Sequence, residues 1–94
     1  MNVEKMIREH KGTILDVRTT KEFSGGSVSF SINIPLQEIP ERINELKNMN
    51  TPLILCCASG ACSGQAHGFL EQCGIECCDA GSWLNVNYYQ SQTV

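Results

Sequence analysis

The sequence predicts an α/β protein built on a parallel β-sheet. Short apolar, β-branched runs alternate along the chain with segments whose apolar residues recur every three or four positions, and this alternation is typical of a parallel sheet. The run PLILC is apolar throughout, as expected for a central strand covered on both faces. No repeat or Pro/Gly/Ser-rich linker interrupts the 94 residues, so we expect one domain over residues 1–94.

The first half of the chain predicts two strands and three helical segments. A helix ending at Gly12 is followed by the strand TILDV, residues 13–17, and by one helical turn at residues 21–23. Residues 31–34 predict a second short strand. The helix after it has Pro40 in its first turn, where proline is tolerated. Its apolar stripe consists of Leu36, Ile39, Ile43, Leu46 and Met49.

The second half predicts two more strands and two helices. After PLILC comes the small-residue segment CASGACSG, and residues 63–72 continue as a helix with Ala66, Phe69 and Leu70 turned inward. Residues 75–78 form a last short strand and residues 83–89 a final helix. In parallel sheets ligands bind beyond the carboxyl ends of the strands, which is where CASGACS lies.

The charge pattern excludes several classes of function. The chain has 7 basic and 10 acidic residues, so it lacks the cationic face that nucleic acid phosphates require. Its apolar runs are too short to cross a bilayer, and the N-terminal MNVEKMIREH does not resemble a signal peptide. We therefore expect a cytoplasmic protein with no nucleic acid or membrane partner. All of the basic residues lie in the first half, the last being Lys47.

Cysteine is concentrated in the second half of the chain. A reducing cytoplasm favours reactive or metal-binding thiols over a disulfide framework. A four-thiolate zinc site is one interpretation, but no C-x-x-C pair is present, and packing of small apolar side chains in the core explains the last three cysteines more simply. We predict no metal site and no cofactor. The six cysteines are Cys56, Cys57, Cys62, Cys73, Cys77 and Cys78.

Three segments of the sequence resemble rhodanese-like domains. ILDVRTTKEFSGGSVSFSINIPL is similar to the opening signature of the family, LILCCASGACSGQA to its active-site strand, loop and helix, and AGSWLNV to its closing turn. They cover most of the chain in the family's order. The resemblance implies a five-stranded parallel sheet flanked by helices on both faces. It also implies transfer of a sulfane sulfur through a cysteine persulfide.

The family's active-site loop places the nucleophile at Cys57. Ser59 and Gly60 are then in register with the family pattern, whereas the alternative, Cys56, puts them out of register. A helix N-terminus with a ring of backbone N–H groups lowers the pKa of a thiol from about 8.5, which favours the attacking thiolate. The predicted persulfide-binding loop consists of Ala58, Ser59, Gly60, Ala61, Cys62 and Ser63.

The loop departs from the family at two positions where many members carry arginine. These positions are occupied by Ala58 and Cys62, so thiosulfate would meet only backbone dipoles and turnover with it is expected to be weak. The missing arginine also argues against the phosphatase and arsenate-reductase relatives of the fold. Cys62 itself has three interpretations: a resolving thiol that forms a disulfide with Cys57, a second sulfur carrier, or a small residue filling the space of the arginine.

The same resemblance implies a structural role for the LDVR segment. Asp16 and Arg18, together with Glu22, tie the end of the strand to the following turn in the family. Arg18 and Glu22 are four residues apart across that turn, a separation that allows a charge-assisted hydrogen bond.

These observations predict a sulfurtransferase that carries sulfur on Cys57 from a small sulfane donor to a thiol or cyanide acceptor. One alternative is a dithiol or polysulfide reductase that uses Cys57 and Cys62. Another is a non-enzymatic sulfur-relay or interaction module whose donor or acceptor is a protein.

Overall fold

A computed structural model describes residues 2–92 and contains a four-stranded parallel sheet covered by helices. The elements are α1 Val3–Arg8, β1 Thr13–Asp16, α2 Thr20–Ser24, β2 Ile32–Asn33, α3 Ile43–Lys47, β3 Leu53–Cys57, α4 Ala61–Gln72, β4 Cys77–Ser82 and α5 Trp83–Ser91. A 3-10 helix, Leu36–Arg42, precedes α3. The order of the strands in the sheet is β2-β1-β3-β4.

The central strand β3 places successive side chains on opposite faces of the sheet, because side chains alternate along a strand. Leu53, Leu55 and Cys57 pack into one core cluster, which is covered by α3, α4 and the 3-10 helix. Ile54 and Cys56 pack into a second cluster with side chains of α1 and α5. Helices therefore lie on both faces, as the sequence predicted.

The pairing of β3 with β4 becomes irregular where β3 ends. Leu55 pairs with Asp79, but Cys57 pairs with Ser82, so the register shifts between Leu55 and Cys57. Such irregularities re-aim side chains and are common beside functional sites. The shift brings the β4–α5 junction against the loop that follows Cys57.

The sheet differs from the predicted one in its number of strands. Within residues 2–92 there are four strands, so the five implied by the family resemblance are wrong for the described chain. The residue pattern itself supplied only four apolar runs of strand type. The last strand also runs over Cys77–Ser82 rather than over the predicted residues 75–78, and the buried Ile75 lies in the connection between α4 and β4.

Two helix predictions also need correction. The stripe that predicted one long helix is divided into a 3-10 helix containing Pro40 and a short α3 beginning at Ile43, because proline lacks the N–H that a continuous α-helix would use. The helix after the cysteine loop begins at Ala61 rather than at residue 63, and Phe69, predicted to face inward, is 38% exposed. None of the helices described is both long and apolar enough to cross a membrane.

Candidate active site

The loop between β3 and α4 curls around the sulfur of Cys57. Gly60 caps α4 with a φ of 103°, a left-handed conformation that glycine adopts without the strain of a side chain. A Cβ on Gly60 would lie 3.4 Å from Cα of Gly81, so the loop also packs closely on the β4–α5 junction. The backbone N–H groups of Gly60 and Ser63 are directed at the sulfur of Cys57 in this arrangement.

Three groups of this loop contact Cys57 Sγ. The backbone N–H of Gly60 donates to the sulfur at 3.0 Å and that of Ser63 at 3.3 Å. The Ser63 hydroxyl oxygen lies 3.5 Å from the same sulfur. Cys57 is only 2% exposed, yet its sulfur faces hydrogen-bond donors rather than hydrocarbon alone.

The two adjacent cysteines of β3 have opposite acid–base properties. Burial by itself raises the pKa of Cys57, but hydrogen bonds from the Ser63 hydroxyl and from backbone N–H groups more than offset it, so the pKa lies below the ordinary value. Cys56 is completely buried on the other face of the sheet, where burial and then the Asp16 charge raise the pKa of its thiol to about 12. Of the two, only Cys57 has the environment of a thiolate nucleophile.

A cleft of about 190 Å³ opens beside Cys57. One wall is the cysteine loop, which contributes Ala58, Ser59 and Cys62. The facing wall contains Arg18, Glu22 and the segment 35–37. Cys62 is exposed at the start of α4, so a thiol other than Cys57 borders the same small volume.

Arg18 lines the cleft, but its Nε and Nη2 donors are already occupied. Its Nη2 lies 2.9 Å from Oδ2 of Asp16, its Nε donates to both oxygens of that carboxylate, and Nη2 also donates to the Gly26 carbonyl at 2.6 Å. The guanidinium stacks on Trp83 with 4.5 Å between its carbon and the ring centroid. Asp16 is fully buried and Arg18 is 7% exposed, so the pair is a neutralised structural unit.

Glu22 does not pair with Arg18 as its position in the sequence suggested. Its carboxylate accepts instead from the backbone N–H and hydroxyl of Thr19, forming a capping box at the start of α2. These hydrogen bonds from Thr19 lower the pKa of Glu22. The strand end and the following turn are therefore tied by two separate contacts, Asp16 with Arg18 and Thr19 with Glu22.

Asp79 was not singled out by the sequence analysis and lies next to the loop. Its Oδ1 accepts from the Ser63 hydroxyl at 2.6 Å and from the Gly81 N–H at 2.9 Å. A signal was available, since Asp79 is an acidic residue directly after the last predicted strand, residues 75–78, and so lies at the same edge of the sheet as Cys57.

The remaining cysteines belong to the core rather than to the cleft. Cys73 and Cys77 pack in the cluster beneath α4, and Cys78 packs on the other face. Burial raises the pKa of Cys77 to about 11, and burial also raises the pKa of Cys78. Within residues 2–92, no group of three or more His, Cys, Asp or Glu side chains is placed to hold a metal ion.

A larger cavity, of about 440 Å³, lies away from Cys57. Its lining is mainly apolar, with Met6, Ile7, Phe30 and Ile32 among the residues, and it contains neither a cysteine nor a carboxylate. The smaller cleft is therefore the candidate active site.

A parallel α/β sheet with a cysteine at the end of its central strand, enclosed by a loop of N–H donors, is the arrangement expected of a rhodanese-like domain. The family model for the Rhodanese-like domain matches residues 2–88, and the chain belongs to this family. The resemblance noted in the sequence is thus confirmed.

Named relatives and a solved structure agree with this assignment. The chain is 36% identical over 61 residues to Thiosulfate sulfurtransferase PspE of Escherichia coli, covering 64% of this chain and 59% of that protein. It is 36% identical over 64 residues to the uncharacterised protein YqhL of Bacillus subtilis, covering 68% and 50%. A rhodanese-related protein from Thermoplasma volcanium superposes with a TM-score of 0.78 at 29% identity, covering 100% and 93%. The chain therefore spans half to three fifths of the two curated relatives.

Proposed function

We propose that the chain is a sulfurtransferase that carries a sulfane sulfur as a persulfide on Cys57 and passes it to a thiol or cyanide acceptor. The observation that carries the proposal is the convergence of the Gly60 and Ser63 N–H groups on Cys57 Sγ. These donors favour the thiolate, which is the attacking species. Similarity to a protein named thiosulfate sulfurtransferase supports the same class of reaction.

The proposed transfer has two displacement steps. In the first, the Cys57 thiolate attacks the outer sulfur of the donor, a bond forms between the two sulfurs, and the electron pair of the donor's old bond leaves with sulfite or a thiolate. In the second, cyanide or an acceptor thiolate attacks the terminal sulfur, and the electron pair of the broken S–S bond returns to Cys57. Each step balances without an oxidant or a reductant.

The loop amides are suited to hold the negative charge of the persulfide. Gly60 and Ser63 already contact the inner sulfur. The Ala61 N–H has only a long 3.5 Å contact with Ser59 Oγ, so it is available to donate a hydrogen bond to a terminal sulfur. The wider loop, residues 58–62, is proposed to complete this ring of donors.

The preferred donor is proposed to be a persulfide or polysulfide rather than thiosulfate. Thiosulfate carries two negative charges, and the one arginine on the cleft wall is committed to Asp16 and Gly26. The loop itself contributes no cation. Recognition of a dianion would then rest mainly on backbone dipoles, which favours a donor of lower charge.

Thiocyanate release in the presence of cyanide tests the proposal with thiosulfate, polysulfide and glutathione persulfide as donors. We expect the highest rate with the last two, and mass spectrometry should show one added sulfur atom on Cys57. Cys57→Ser should abolish both signals, while Cys56→Ala serves as the matched control. Loading that persists in Cys57→Ser and disappears in the control would assign the nucleophile to Cys56. A protein that accepts sulfur but turns over none of the three donors would instead be a relay module served by a partner protein.

A second candidate function is reduction of persulfides by a Cys57–Cys62 dithiol. The observation in its favour is that Cys62 is exposed and borders the same cleft as Cys57. The Cys62 thiolate would attack the inner sulfur of the Cys57 persulfide and release hydrosulfide, leaving a disulfide that two electrons from a thiol reductant convert back to the dithiol. Peptide mapping after polysulfide treatment should then link Cys57 to Cys62. Stable persulfide on Cys57 with Cys62 unmodified would exclude this route.

A further inference from the structure

The hydroxyl of Ser63 is shared by more neighbours than its single proton can serve. Ser63 is fully buried. Its oxygen lies 2.6 Å from Asp79 Oδ1, 3.1 Å from the Gly60 carbonyl and 3.5 Å from Cys57 Sγ. A hydroxyl has one proton to donate and two lone pairs with which to accept. The two acceptors and the sulfur therefore cannot all receive the hydroxyl proton at once.

The Asp79 carboxylate is the strongest of these competitors. A contact of 2.6 Å is in the short range typical of a hydroxyl that donates to an ionised acceptor. The Gly81 N–H, at 2.9 Å, holds the same carboxylate oxygen in place. With its proton directed at Asp79, the Ser63 oxygen presents a lone pair to Cys57, and the neutral thiol donates to it.

Ionisation of Cys57 changes the demand on this hydroxyl. A thiolate has no proton to donate, so the Ser63 hydroxyl can stabilise it only by turning its own proton away from Asp79 and toward the sulfur. The hydrogen bond to Asp79 is lost when that happens. The carboxylate thus opposes one of the hydrogen bonds that stabilise the thiolate.

We propose that Asp79 is a positioning residue that acts on Cys57 through the Ser63 hydroxyl, by competing with the sulfur for the single hydroxyl proton. The inference rests on the proposed function in assigning this competition to sulfur transfer. As a consequence, the Cys57 sulfur remains more basic than hydrogen bonds from the loop would make it in the absence of Asp79. Because the nucleophilicity of a thiolate falls as its pKa falls, Asp79 preserves the intrinsic reactivity of Cys57.

Other titratable groups also lie near the sulfur. Arg18 and Glu22 face it across the cleft, and Cys62 borders the same volume. Cys56 precedes it on β3, with Asp16 paired beside Cys56 on β1. None of them is hydrogen-bonded to the Ser63 hydroxyl, and a comparison in which only Ser63 and Asp79 change keeps their contributions constant.

The test is the pH dependence of Cys57 alkylation by iodoacetamide, assigned to Cys57 by fragment ions in tandem mass spectrometry so that Cys56 and Cys62 do not interfere. We expect Asp79→Asn to move the midpoint about one pH unit lower and, through the weaker nucleophilicity, to reduce the plateau rate about threefold. Asp79→Ala should shift the midpoint in the same direction and serves if the first variant folds poorly. Glu76→Gln is the matched control, because it neutralises an exposed carboxylate immediately before the first residue of β4. It should leave the midpoint unchanged.

The same shift is then measured in a Ser63→Ala background. If Asp79 acts through the hydroxyl, Asp79→Asn should no longer move the midpoint once the hydroxyl is absent. An equal shift in both backgrounds would mean that Asp79 acts as a charge through space, and no shift in either would mean that it does not act on Cys57; both results overturn the proposal. The measurement does not require sulfur transfer, so failure of the proposed function would appear separately, as absent thiocyanate release with an intact Asp79 effect.

Discussion

The two walls of the cleft at Cys57 differ in what they present to a substrate. The loop wall, residues 58–63, has N–H and hydroxyl donors but no charged side chain. The strand wall, which comprises Arg18, Thr19 and Glu22, has both kinds of charge. Arg18 is bound to Asp16 and to the Gly26 carbonyl, and the exposed Glu22 carboxylate is hydrogen-bonded to Thr19. A charged residue beside a site therefore does not show that its charge is available to a ligand, because a partner within the protein can neutralise that charge.

The largest expected effect comes from separating the charges of the strand wall. Asp16→Ala leaves the Arg18 guanidinium buried without its carboxylate, and we expect the free energy of unfolding to fall by about 3–5 kcal/mol in urea denaturation. Glu9→Ala, which breaks the exposed pair with Lys11, is the control and should change little. A decrease of less than about 1 kcal/mol in the free energy of unfolding of Asp16→Ala would show that Arg18 finds another partner. The Arg18 charge would then be available to a ligand.

The next effect is on substrate choice and comes from adding charge to the loop wall. Cys62→Arg should raise kcat/KM for thiosulfate about 10- to 100-fold, because one close charge-assisted contact contributes about 1.5–3 kcal/mol. Cys62→Gln, a neutral replacement, should not produce this gain, and neither variant should improve an uncharged organic trisulfide donor. An unchanged thiosulfate rate in folded Cys62→Arg would mean that position 62 does not face the bound anion.

A smaller effect is expected from disturbing the shape of the loop wall. Gly60→Ala forces a side chain into a left-handed conformation against Gly81, so we expect a loss of about 1–3 kcal/mol in stability together with slower sulfur loading of Cys57. Gly68→Ala is the matched control, since no atom lies within 4 Å of the added carbon, and it should stabilise α4 by up to about 1 kcal/mol. Equal behaviour of the two variants would show that the loop tolerates another backbone path.

The smallest expected effect concerns salt. The pKa of Cys57 is lowered by hydrogen bonds from the loop wall rather than by a nearby cation, so its alkylation rate should rise with pH at a midpoint below the ordinary thiol value of about 8.5. Raising the ionic strength from about 0.05 to 0.5 M should move that midpoint by less than about 0.3 pH unit. A clear upward shift with salt would indicate that Arg18 contributes its charge to the sulfur.

Much of the fold was predictable because it depends on local pattern. The apolar run of β3 and the alternating order of strands and helices predicted a parallel sheet covered on both faces, and the structure confirms this. The division of the stripe around Pro40 was harder to foresee, since proline is compatible with a first turn and only the three-dimensional path shows where the α-helix begins.

The site was predictable to the extent that it lies on one continuous segment. The position of Cys57 at the end of β3, before a loop of small residues, followed from the sequence, whereas its role stays a prediction. Asp79 was missed because its contact with Ser63 depends on the pairing of β3 with β4 and on the register shift there. Glu22 was assigned to Arg18 because sequence separation gives no information on whether the nearer Thr19 competes for the same carboxylate.

Because side chains alternate along β3, Cys56 and Cys57 lie on opposite faces of the sheet, and labelling of these two thiols can be used to follow local unfolding. Cys57 borders the cleft, so we expect it to react from the closed native state. Cys56 is enclosed between the sheet and its α1/α5 layer, so we expect it to be labelled only when that layer opens. The rate of Cys56 labelling, measured without denaturant, therefore gives the free energy of that opening when reclosing is fast. Adjacent residues of one strand would thus report chemical reactivity and conformational stability in a single experiment.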